Sequence, residues 1–209
     1  MVSPAAPSPH LDVVTVPIDP VEDLLAYADP TAPVAWLRRG EGMVGFGSTV
    51  VRLSSSATTG RAAELAARWR ALAASASVTD DVRLPGTGLI GFGALAFDDR
   101  SSSPSTITVP SMIIGRRGGR SWLTRITVAE GGTAGTDAAE TIATREFGPY
   151  WSGSLGPGAC APADYQSAVS AGLAAITDGI VGKVVLARDL VGTVPADADL
   201  RRLARALAS

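Results

Sequence analysis

The stretch VGKVVLARDL, residues 181–190, holds the one lysine of a 209-residue chain whose other 17 basic residues are all arginine. Arginine keeps its charge in any protein environment, whereas a lysine taken out of water can give up its proton and act as a base. A free lysine titrates near ~10.4, and burial lowers that by up to roughly 3–5, into the range a general base needs. Two readings of Lys183 follow. It is a base in a dry pocket, or it snorkels, with its methylenes on apolar neighbours and its ammonium in water. Spacing alone leaves both open.

Other chemistries are narrowed by what the chain lacks. Its single histidine, His10, excludes a histidine-based triad or a multi-histidine metal site within these residues, and its single Cys160, in PGACAP, has no partner for an internal disulfide. No G-x-S-x-G, Walker loop, H-E-x-x-H or C-x-x-C occurs. GTGLIG, Gly86 to Gly91, satisfies G-x-G-x-x-G. A dinucleotide site needs a strand before that pattern and a helix after it. Here the following FGALAFDD reads as strand, so these glycines are expected to let a backbone or a ligand pass close to a strand. With 46% hydrophobic residues, 18% charged and a net charge of -2, the chain can build a real core. It has no basic tract with interleaved aromatics for nucleic acid. Neither a signal peptide nor a run of ~18 apolar residues for a membrane span is present, so the expected location is the cytoplasm.

The elements that must position Lys183 read as follows. Residues 1–18 form a Pro/Ser/Ala-rich flexible leader, and 19–128 an N-terminal α+β part. DPVEDLLAYA reads as a short helix with Asp19 as N-cap, Pro20 in the first turn and Glu22 completing a capping box. VAWLRR and MVGFGSTVVRL are strands joined at GEG. GRAAELAARWRALAAS is a helix with an inward stripe of Leu65, Trp69 and Leu72, leaving Arg61, Glu64, Arg68 and Arg70 off it. TGLIGFGALAF, STITVPSMIIGRR and RSWLTRITV are strands, the last two a hairpin around GRRGGR. Residues 129–161 are a loop or linker with a possible helical turn at DAAETIA. From 162 to 209 come a helix with a face of Tyr165, Val169, Gly172/Leu173 and Ile176 that stops at Gly179, a strand GKVVLARDL, and a helix with a stripe of Leu200, Leu203 and Leu207. Apolar residues on both faces make GKVVLARDL an interior strand. Alternation then puts Val185 and Ala187 on the lysine's face and Arg188 on the other, where an ion pair is its expected role.

The helix DYQSAVSAGLAAITDG, a short turn and then KVVLAR together resemble the chorismate-utilising enzymes, most closely the isochorismate synthases. GTGLIGFGALAFDD and STITVPSMIIGRR are also similar to the N-terminal part of bacterial members, which extends the resemblance over most of residues 34 to 190. In that family a lysine at the position of Lys183 marks enzymes that add water to chorismate, while enzymes using ammonia commonly carry glutamine there. Water is the poorer nucleophile and gains more from a base. The resemblance implies an α+β fold with a large mixed, largely antiparallel sheet flanked by helices, chorismate as substrate, and Lys183 as the catalytic base for attack on C2. It further implies an acid that protonates the departing C4 hydroxyl, and Mg2+ at the substrate carboxylate.

Members of the family are about twice as long as this chain, and their acid and Mg2+ ligands lie in the C-terminal half. The sequence therefore reads as an N-terminal fragment, a truncated product or one part of a split protein, with the missing half as a possible partner. A salicylate synthase, which adds pyruvate elimination, and a non-catalytic domain that binds a partner through its last helix are the alternatives. The motifs do not distinguish supply of menaquinone from supply of a siderophore. Base without acid and metal leaves most of the barrier in place. The expected outcome with chorismate and Mg2+ is thus little or no isochorismate from the 209-residue chain, and robust product formation in that assay contradicts it.

Overall fold

The computed structural model describes residues 9–129 and 142–208. They divide into two compact units: one runs to Gly148 and resumes at Asp199, and the other is Pro149–Ala198. In the first, the elements are β1 (Leu11–Ile18), a 3-10 turn (Leu24–Tyr27), β2 (Val34–Arg38), β3 (Glu41–Ser55), α1 (Arg61–Ser75), β4 (Ser77–Asp80), β5 (Phe92–Ala94), β6 (Ser105–Arg117) and β7 (Arg120–Val128). The second holds β8 (Ser154–Pro157), α2 (Pro162–Thr177) and β9 (Leu190–Thr193), after which α3 (Arg201–Ala208) belongs to the first.

Seven strands form one mixed sheet in the order β2-β3-β6-β7-β1-β4, with β5 also on β6. Only the β1–β4 pair among them is parallel. The α+β architecture is the expected one. Because successive strand residues face opposite sides, neighbouring Ile113 and Ile114 in β6 enter different cores. On one face Ile113 packs with Leu11, Val13, Leu53, Val109 and Ile126 under Leu65 and Leu72 of α1. On the other, Ile114 joins Val44, Val21, Leu24, Leu25 and Ala28, with Phe147 and Ala204 packed against them.

Pro110 lies within β6, where it can donate no ladder hydrogen bond, and there the β3 register slips twice, between Phe46 and Val51. A bulge is how a sheet accommodates such a residue. The β6–β7 hairpin follows the sequence reading, with Gly118 and Gly119 at its turn. Gly115 seats the buried Trp122 indole: a Cβ there would lie 2.3 Å from a ring carbon.

Several expectations are corrected. Residues 11–18 are not a leader: LDVVTVPI alternates buried and exposed, and Thr15 hydrogen-bonds Thr124 at 2.8 Å. Its apolar alternation outweighs the prolines around it. The helix after Asp19 shrinks to one 3-10 turn capped by Asp23, whose carboxylate accepts from the Leu25 amide at 3.1 Å. TGLIGFGALAF is strand only over Phe92–Ala94. The β2–β3 turn is Arg39-Gly40, and Glu41 already belongs to β3. β8 lies within the stretch read as a linker, while DAAETIA falls largely outside the described residues.

Arg61, placed off the α1 stripe by spacing, is 2% exposed. Its guanidinium and Nε donate to the carbonyls of Ala57, Asp99, Ser101 and Ser103 at 2.8–3.0 Å, so four backbone acceptors replace water.

The last helix is likewise inverted. Leu203 and Leu207 are exposed, and the buried residue of α3 is Arg201. It donates to both oxygens of Asp199, to the Arg145 carbonyl and to the Glu146 carbonyl at 2.6–3.0 Å, and stands 4.3 Å over the Phe147 ring. Arg205 stands 4.0 Å over the same ring. Asp199 also accepts from the Gly148 amide at 2.8 Å. The Arg201 hydrogen bond, foremost, holds the Asp199 carboxyl down from 3.8 to about 2.

A carboxyl depressed on folding stabilises fully above its unfolded value and loses that contribution as pH falls through its folded value. Urea unfolding is therefore expected to show about 2–3 kcal/mol of stability lost between pH 5 and pH 2. Asp199→Ala, which leaves Arg201 buried without its counter-ion, should cost about 3–5 kcal/mol at neutral pH and remove the Asp199 share of that dependence.

Candidate functional site

Lys183 belongs to the second unit. There α2 starts with Pro162 at its first turn and ends at Gly179, whose φ of +70° reverses the chain. The amides of Asp178, Gly179 and Ile180 return to the carbonyls of Ala174, Ile176 and Ala175 at 2.9–3.1 Å, closing the last turn. Tyr165, Val169 and Gly172 on α2 are half-buried, but Leu173 and Ile176 of the expected apolar face are exposed.

The lysine segment follows, and the structure corrects its expected form. Residues 181–189 are not an interior strand but irregular and largely exposed chain, with Lys183 exposed. A strand needs neighbours for its backbone groups. The ladder of this unit pairs only Ser154–Pro157 with Leu190–Thr193, so residues 183–188 have no sheet partner among the described residues. Without alternation, Val185 and Ala187 share no pocket-lining face with the lysine, and both are exposed.

The segment is nonetheless held at two points. Val184 packs on Gly172, where a Cβ would approach Val184 Cγ1 to 2.9 Å. At the other end, the Asp189 carboxylate accepts from the Ala159 amide at 3.1 Å and its carbonyl from the Gly158 amide at 3.1 Å. A Cβ on Gly158 would fall 2.0 Å from the Asp189 carboxylate, so glycine is needed for that approach. The Ala159 amide, foremost, lowers the Asp189 carboxyl below its ordinary value. Arg188 stands 5.9 Å over the Tyr165 ring and forms no ion pair among the described residues, so a cation–π contact replaces the expected partner.

Between these anchors the Lys183 ammonium has no hydrogen-bond or ion-pair partner among the described residues. No group of three His, Cys, Asp or Glu side chains that could hold a metal ion forms among the described residues either. The described residues by themselves supply no such cluster for Mg2+.

The first unit carries a cavity of about 580 Å3 walled by Trp36, Met43, Gly86, Gly91, Phe92 and Arg117. The G-x-G-x-x-G glycines thus serve close approach, as expected. A Cβ on Gly86 would lie 2.9 Å from Met43 Sδ, and one on Gly91 2.6 Å from Ile107. The sequence reading passed over the arginines beside this cavity. Their signal is the pair of repeats LRRGEG and GRRGGR, each an Arg-Arg next to a hairpin glycine.

A large mixed sheet flanked by helices is consistent with a chorismate-binding fold. The sequence model of the chorismate binding enzymes matches residues 8–209, and the chain belongs to that family. No curated protein and no solved structure matches it. No helix among the described residues is long and apolar enough to cross a membrane.

If Gly172 and Gly158 set the path of the lysine segment, Gly172→Val should free residues 181–189 from α2. Hydrogen exchange is expected to accelerate at least about tenfold there while the first unit's strands stay protected. Unchanged protection at 181–189 contradicts this anchoring.

Proposed function

We propose that this chorismate-utilising enzyme converts chorismate to isochorismate, with Lys183 as the base that activates water. What supports this reading is the identity of Lys183: it is the one primary side-chain amine of the chain, free of intramolecular partners among the described residues and held between two backbone anchors. Water's oxygen bonds to C2 and its proton passes to Lys183, both ring double bonds shift by one position, from C1–C2 to C1–C6 and from C5–C6 to C4–C5, and the C4 hydroxyl departs as water with a proton from an acid. One water enters and one leaves, so the reaction is an isomerisation.

Only a neutral amine has the lone pair that takes a proton. Substrate seated over Lys183 supplies the desolvation that favours the neutral amine, and the acid and any Mg2+ come from outside the described residues. Salicylate synthase chemistry is the second reading, separated by its release of pyruvate.

In the active enzyme, Lys183→Gln should lower isochorismate formation about 100-fold or more, while chorismate binding, followed by calorimetry, changes far less. An unchanged rate removes Lys183 from the mechanism, and stoichiometric pyruvate identifies the second reading.

A further inference from the structure

The two hairpin tips of the first unit lie side by side, since Arg38 pairs with Glu41, and Gly42 with Arg116, across β2, β3 and β6. Each turn has two residues with φ above zero: Arg39 and Gly40 at +51° and +76°, Gly118 and Gly119 at +57° and +73°. Such turns favour Gly or Asn at both positions. The second turn complies. The first instead holds an arginine in the left-handed region, a conformation uncommon outside glycine, and local strain of this kind clusters at binding sites.

Around these tips Arg38, Arg39, Arg116 and Arg117 line a cavity of about 340 Å3. It adjoins the 580 Å3 cavity, Trp36, Met43, Pro85 and Arg117 walling both. Arg116 is committed to structure, donating to the carbonyls of Val21, Glu22 and Gly40. The guanidinium groups of Arg38, Arg39 and Arg117 have no hydrogen-bond or ion-pair partner among the described residues. The one acid on this wall, Glu41, accepts from the Gly118 amide at 2.7 Å, and its carboxylate forms no ion pair with an arginine among the described residues. Beneath lies Trp122, 1% exposed, whose Nε1–H is a buried donor without an acceptor among the described residues.

Uncompensated guanidinium groups at one end, with Trp36 and Phe92 along the other, define an amphipathic site in a chain of net charge -2. We infer that this groove binds a small organic anion, its carboxylate or phosphate held by Arg38, Arg39 and Arg117 and its apolar body lying against Trp36 and Phe92. Forked guanidinium donors suit such oxyanions, and aromatic walls suit a ring or chain.

Phenyl phosphate is the probe, titrated into the full chain by calorimetry with inorganic phosphate and benzyl alcohol as comparisons. Phenyl phosphate should bind saturably and at least about tenfold more tightly than either comparison, and more weakly as salt rises. The double variant Arg38→Gln/Arg117→Gln changes only exposed side chains and leaves Arg116 in place. It should weaken phenyl phosphate at least about tenfold without altering thermal unfolding. Absence of binding, equal affinity for phenyl phosphate and either comparison, or an affinity untouched by the double variant overturns the inference.

Discussion

The first unit depends on β6 being buried on both faces at once. Ile113 and Ile114 are adjacent in sequence yet sit in cores on opposite sides of the sheet. The same strand pairs with β3, β5 and β7, so its backbone and both its faces are committed. Pro110 and the register slips beside it bend the ladder without uncovering either core. The cavity walls inherit this rigidity, because Thr106 and Thr108 of β6 stand opposite Phe92 and Ala94 of β5.

How far the fold was legible in sequence depended on whether local pattern and long-range pairing agreed. α1 and the β6–β7 hairpin were readable because stripe, alternation and turn glycines all fall within a few residues. β1 was hidden by its prolines, although Leu11, Val13 and Thr15 alternate inward. Arg61 and Arg201 misled the assignment of helix faces, since polarity predicts exposure unless backbone carbonyls are waiting inside, and loops far off in sequence supply those carbonyls. The lysine segment erred in the other direction: its apolar residues call for neighbours on both sides, and a strand without them is not a strand.

The residue proposed as the base was legible only as a type. That Lys183 is the chain's lone lysine, just ahead of Val184, was plain from the letters, and membership of the chorismate binding enzymes agrees with the resemblance. Its surroundings were not, because the anchors on Gly172 and Gly158 are approaches that only glycine permits and leave no periodic trace. The arginine pairs at the hairpin tips were equally visible as letters. Their meaning came from pairing, which sets two distant turns next to each other.

The chain's preference for arginine has a further consequence. Arg61 and Arg116 fasten loops by giving several hydrogen bonds each to main-chain oxygens and form no ion pair with a carboxylate among the described residues. Amide oxygens carry no proton to gain or lose across the acid range, so these fastenings are indifferent to acidity in a way that the Asp199 clasp is not. A lysine, with one nitrogen in place of three, could not span the same set of oxygens.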